Sequence, residues 1–101
     1  IHSYDLVNAL HYFYQNPGVA RVYNIGGGRF SNCSMLEAIQ LCEEITGNKL
    51  SWSYEDKSRI GDHIWWVSNV SRFKKDYPEW DYKYDLKKIM TEIYEGLTKR
   101  I

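Results

Sequence analysis

A surplus of charge of either sign is the first thing missing from this sequence of 101 residues. Thirteen Lys and Arg balance thirteen Asp and Glu, so the basic field with which a general nucleic-acid binder neutralises phosphates is absent. Long apolar runs are missing too. None approaches the ~20 residues that cross a bilayer, so neither nucleic acid nor membrane is expected as a partner. Cysteine is scarce: Cys33 and Cys42 are too few for a disulfide framework, and their spacing matches no zinc pattern. His2, His11 and His63 are scattered, which argues against metal catalysis. Proline occurs twice, and with 44% hydrophobic and 26% charged residues the chain is too apolar and too neutral to be disordered. What remains is a soluble, cytoplasmic globular piece of one domain at most, with reduced thiols and Cys42 expected inside a helix core.

Aromatic residues are abundant, with nine Tyr, four Trp and three Phe. Leu6, Leu10, Phe13 and Tyr14 recur at helical spacing after Ser3, a candidate N-cap, with Asp5 in the first turn. Asn16-Pro17-Gly18 stops that helix. Residues 20–25 read as a short strand running into Gly26-Gly27-Gly28. Ser34 and Glu37 have capping-box spacing, opening a second helix whose stripe is Leu36, Ile39, Cys42 and Ile45 and which Gly47 or Asn48 closes. Residues 49–54 alternate as a strand with Leu50, Trp52 and Tyr54 on one face, and 64–67 form another short apolar strand. A brief helix over about 70–75 ends before Pro78, with Trp80 docked beside it. The last helix is capped by Asp85 and presents Leu86, Ile89, Met90, Ile93 and Leu97. The expected class is α/β.

Strand, glycine turn, helix, strand and then Glu55-Asp56 imitate a dinucleotide-binding unit. Two features object. Ser31 stands where a third glycine would let helix and strand pack closely, and Ser34 starts the helix too late for its dipole to reach the glycine loop. Glycines supplying positive φ in a tight turn explain the same residues. A P-loop is excluded, because no Gly-Lys-Ser/Thr follows.

The loop Lys57-Ser58-Arg59-Ile60-Gly61-Asp62-His63 is the better chemical candidate. Arg59 offers a planar five-donor fork for phosphate oxygens, Gly61 lets the backbone turn closely, and Asp62 can accept from hydroxyls. Together they could grip a phosphorylated sugar. An Arg–Asp surface pair is the alternative, worth only ~0–1 kcal/mol.

Four stretches in order resemble the C-terminal part of the extended short-chain dehydrogenase/reductase family, the NAD-dependent nucleotide-sugar epimerases and dehydratases. Ile1-His2-Ser3-Tyr4-Asp5-Leu6-Val7 resembles the family's I-H-V-x-D-L-A segment. Val22-Tyr23-Asn24-Ile25-Gly26-Gly27-Gly28 is similar to its Y-N-hydrophobic-G-x-G turn, and Arg59-Ile60-Gly61-Asp62 to its R-x-G-D loop. Val67-Ser68-Asn69-Val70-Ser71-Arg72-Phe73 resembles the D-x-S-K-A segment, with Trp80 where the family has G-W. The runs Gly26 to Ser34 and Gly61 to Ser68 look most like the branch that inverts C2 of a CDP-linked dideoxyhexose.

The resemblance implies an α/β fold of Rossmann type, present here as a C-terminal substrate-binding portion with short strands and about four helices, an incomplete fold. It implies a reaction in which NAD oxidises the sugar carbon transiently and returns the hydride to the opposite face. Arg59 falls on the arginine that pairs with the substrate diphosphate, and Asp62 on the acid that binds the nucleotide ribose. Gly26 to Gly28 fall on a structural turn; His63, Trp65 and Trp66 could shape the sugar or base pocket, and of these Trp65 and Trp66 are held as core. The departures are as informative. Neither the family's glycine-rich NAD motif nor its Tyr-x-x-x-Lys pair occurs; Tyr54 and Lys57 are misspaced by one, and Asn69 replaces an Asp. With the start at Ile1, residues 1–101 are expected to be a substrate-binding fragment, inactive alone, whose N-terminal NAD-binding domain, catalytic residues included, lies upstream. The full-length enzyme is expected to be a homo-oligomer. Another epimerase, a 4,6-dehydratase or a non-catalytic nucleotide-sugar-binding module are the alternatives.

Overall fold

A computed structural model describes residues 1–100. Four α-helices form along the described chain: α1 Ser3–Gln15, α2 Met35–Thr46, α3 Ser71–Asp76 and α4 Leu86–Arg100, with a 3₁₀ turn over Gly28–Ser31. No strand forms among the described residues, so the α/β, Rossmann-type expectation is overturned. The stretches 20–25, 49–54 and 64–67 carry strand-forming side chains but lie in no ladder. A strand exists only when a second one takes up its amides and carbonyls, and here none does.

Capping chemistry sets the helix ends. Ser34 Oγ accepts the Glu37 amide at 3.2 Å, and Gly47 closes α2 in the left-handed region at φ +72°. Asp85 Oδ1 accepts the Lys88 amide at 2.8 Å at the start of α4. α1 departs from expectation at its first residue. His2, not Ser3, is the N-cap, its Nδ1 accepting the Tyr4 amide at 2.9 Å.

The buried face of α1 is also rotated from the leucine stripe. Asp5 and Ala9 are buried, Tyr12 and Phe13 pack beside them, and Leu6, Leu10 and Tyr14 are exposed. Both faces obey helical spacing; the packing partners choose between them. Those partners are Phe73 of α3, Tyr77 and Trp80, joined by Tyr23, Ile25 and Tyr82. Phe73 meets Tyr23 and Trp80 edge-on, at 5.3 and 5.2 Å between ring centroids, in the geometry that ring quadrupoles prefer. Trp80, 1% exposed, sits beside α3 as its sequence position predicted.

Polar groups lock this wedge. Trp80 Nε1 donates to the Asp5 carbonyl at 3.0 Å. The Asp5 carboxylate, fully buried, accepts the amides of Lys83 and Tyr84 at 2.9 and 3.1 Å. Tyr77 Oη donates to the Asn16 carbonyl at 2.7 Å, tying the end of α1 to the end of α3. Elsewhere burial is thin. α2 packs on α4, yet neither helix has a fully buried residue, and Cys42 is only half-buried. The chain exposes 8725 Å², against about 6,000 Å² for a compact 12 kDa protein. Its radius of gyration is 16.9 Å, where about 13 Å is ordinary at this length. Trp65 and Trp66, expected in the core, are instead exposed, as are Leu50, Trp52 and Tyr54.

Candidate functional site

The Arg59–Asp62 segment is a surface turn. The Asp62 amide donates to the Arg59 carbonyl at 3.2 Å. Gly61 turns the backbone at φ +87°, a conformation that a side chain would strain. Arg59 Nε meets Asp62 Oδ2 at 3.3 Å, with side chains 89% and 43% exposed. The expected pair therefore exists and uses a single guanidinium donor. At such exposure it adds at most ~1 kcal/mol to stability. Among the described residues the terminal amino groups of Arg59 make no hydrogen bond. Past the turn, His63 tilts against Trp66 at 5.6 Å between centroids.

The glycine turn lies on the aromatic wedge, as a structural turn should. Gly28, buried, has φ +56°, and a Cβ there would meet Tyr82 Oη at 3.3 Å and the Ser68 carbonyl at 3.5 Å. Its amide donates to Ser68 Oγ at 2.9 Å, and Tyr82 Oη donates to the Gly26 carbonyl at 2.6 Å. Phe30 stacks flat on Tyr82 at 4.9 Å. Burial, with the charges of Asp81 and Asp5 behind it, pushes the Tyr82 phenol above its ordinary range, so Tyr82 stays a neutral donor. These residues do not fit a dinucleotide. The Gly28 amide is already used, and α2 begins only after Ser34, too far along to aim its N-terminus at a pyrophosphate.

Beside the glycine turn an open groove of about 820 Å³ runs between 24–28, 31–33 and 66–69. Trp66, Asn24, Asn32 and Ser31 line it; Arg59 and Asp62 do not, nor do they line the neighbouring grooves that Trp65 borders. The structure thus separates the charged turn from the groove. Sequence reasoning did not find the groove: of the two places open to Trp66, pocket wall or core, it held the core, and Trp66 is exposed. The polar residues bracketing the glycines were the available signal.

A second polar cluster is structural. Asp76 Oδ2 accepts Tyr23 Oη at 2.6 Å and Arg21 Nη1 at 3.1 Å. The Tyr23 hydroxyl, helped by the Arg21 charge, holds the Asp76 carboxyl below its ordinary range. The same bond raises the Tyr23 phenol. Asn69 does the work of a turn acceptor, its Oδ1 taking the Ser71 amide at 3.0 Å where α3 begins. No group of three or more His, Cys, Asp or Glu side chains suited to a metal occurs among the described residues. No described helix is long and apolar enough to cross a membrane. Comparisons with family models, with curated proteins and with solved structures each returned no match for this chain.

Proposed function

We propose that this chain is the nucleotide-sugar-recognising portion of an NAD-dependent epimerase, by its narrowest resemblance a CDP-paratose 2-epimerase. The observation that carries the reading is the Arg59-Ile60-Gly61-Asp62 turn. It presents a guanidinium and a carboxylate side by side, at high exposure, on a backbone that needs its glycine. Neither side chain is tied into the aromatic wedge, so a core-building role does not account for them. In this reading Arg59 releases its weak contact with Asp62 and binds the diphosphate through two parallel N–H donors. Asp62, freed in the same step, accepts from ribose hydroxyls. The exchange costs little, since the exposed pair it replaces is worth ~0–1 kcal/mol.

NAD and the acid/base groups belong, in this proposal, to residues outside 1–101, because the glycine turn here does not accommodate a dinucleotide. This portion binds and orients; it moves no proton. The test is made on the intact enzyme. Arg59→Ala removes a charge-assisted contact of ~1.5–3 kcal/mol, so kcat/KM for CDP-paratose should fall roughly 10- to 150-fold with the thermal midpoint unchanged. Unchanged kcat/KM would return Arg59 to a surface pair. NMR of the product decides the class: inversion at C2 supports the reading, while a 4-keto product or inversion at C4 replaces it with a dehydratase or a C4 epimerase.

A further inference from the structure

We propose that residues 49–55 form an interface with a second copy of this chain, the two segments pairing antiparallel about Trp52. The segment is neither helix nor turn, and it is exposed throughout. Leu50, Trp52 and Tyr54 alternate with Lys49, Ser51, Ser53 and Glu55, so an extended backbone has one apolar and one polar face. The three apolar side chains are each more than half exposed. Among the described residues no amide from Ser51 to Glu55 donates a hydrogen bond. Unpaired amides and carbonyls beside an apolar face are a template for another chain.

Charge complementarity selects a second copy as the occupant. About a two-fold axis at Trp52, Leu50 lies opposite the partner's Tyr54, and Lys49 lies opposite the partner's Glu55. Symmetry doubles the set, so two opposite-charge pairs flank an apolar ladder. Other registers lose this. A slip of one residue sets Trp52 against a serine. A slip of two sets Lys49 against Lys57 in one direction; in the other it sets Tyr54 against Asn48 and leaves both charges unpaired. The edge is chosen by α2. The Leu50 amide donates to Glu43 Oε1 at 3.0 Å, so that edge is turned to α2, and the Ser51 and Ser53 amides of an extended chain leave from the other. Pairing there makes Trp52 and its copy a non-hydrogen-bonded pair, the kind whose side chains come closest. The exposed area suffices: 8725 Å² stands against about 6,000 Å² for a compact chain, and a standard interface hides about 800 Å² of each partner. Each copy keeps its helical fold, Arg59 and Asp62 stay outside the paired segment, and the pairing does not depend on the epimerase reading.

Sedimentation of the intact protein across a concentration series, with amide hydrogen exchange on the same samples, tests this. Lys49→Glu and Glu55→Lys should each raise the Kd of self-association roughly 5- to 30-fold, and the double variant, which restores opposite charges, should return it to within about threefold of wild type. Trp52→Lys should abolish the association. The Ser51 and Ser53 amides should gain protection as wild-type concentration rises, and Lys49→Glu should remove that gain. Association unaltered in both single charge reversals overturns the proposal, as does a double variant no better than the singles, because the charges then do not face each other. Protection of the Ser51 and Ser53 amides that is independent of concentration overturns it too, since the segment is then covered by its own chain. A protein monomeric at every concentration does the same.

Discussion

Two regions of this chain are both rich in aromatic residues and have opposite fates. The wedge formed by α1, α3, Tyr77, Trp80 and Tyr82 buries its rings and satisfies its polar groups. The arm over 49–66 carries Trp52, Tyr54, Trp65 and Trp66, all exposed. Hydrophobicity does not separate them. What separates them is whether the chain returns. Asp5 takes two amides from a segment 78 and 79 residues away in sequence, and Trp80 takes the Asp5 carbonyl from 75. Such long-range ties convert apolar residues into a core. Among the described residues the arm has no equivalent: its hydrogen bonds, Tyr54 to Asp56, Arg59 to Asp62 and Leu50 to Glu43, span no more than seven residues.

The comparison can be broken most forcefully at Trp80. Trp80→Ala deletes the largest buried side chain and should cost ~3–5 kcal/mol, read as a lowered denaturant midpoint of the intact protein. Asp5→Ala comes next. It leaves two part-buried amides without their acceptor and should destabilise by about 1–3 kcal/mol, with Asp5→Asn recovering part of the loss. Stability unchanged in Asp5→Ala would mean that the wedge does not depend on this tie.

A smaller effect comes from acid. Because Tyr23 and Arg21 depress the Asp76 carboxyl in the folded chain, its contribution is present above the ordinary aspartate range. It is lost as pH falls through the folded value, that is, below about pH 4. Denaturant midpoints taken from pH 6 down to pH 3 should therefore fall less steeply in Tyr23→Phe than in the wild type. The smallest change is expected in the arm. Trp65→Ser should alter stability by no more than about 0.5 kcal/mol; a loss of 2 kcal/mol or more would show that the arm is packed and erase the contrast between the two regions.

Local chemistry was legible in the sequence wherever the partners lie within a few residues. Ser34, Gly47, Asp85 and the stop after Gln15 all act where the residues indicate, because a cap needs only a side chain and amides two or three positions away. The Arg59–Asp62 contact belongs to the same class, at a separation of three. The groove was not legible. It joins 24–28 to 66–69, and the Gly28 to Ser68 bond spans 40 residues.

From sequence alone followed the limits of α2, the stop of α1 and the cap of α4, the neutral charge, the lack of a zinc pattern and a turn that sets Arg59 beside Asp62. Tertiary structure alone decided which face of α1 is buried, that Asp5 is a tether more than a helix-start charge, and that Trp66 borders a groove. It also decided that 20–25, 49–54 and 64–67 are not strands. The physical reason is common to all four. Helix bonds close within one segment, whereas a strand, a buried carboxylate and a groove wall are defined by residues far away, and no local pattern names them.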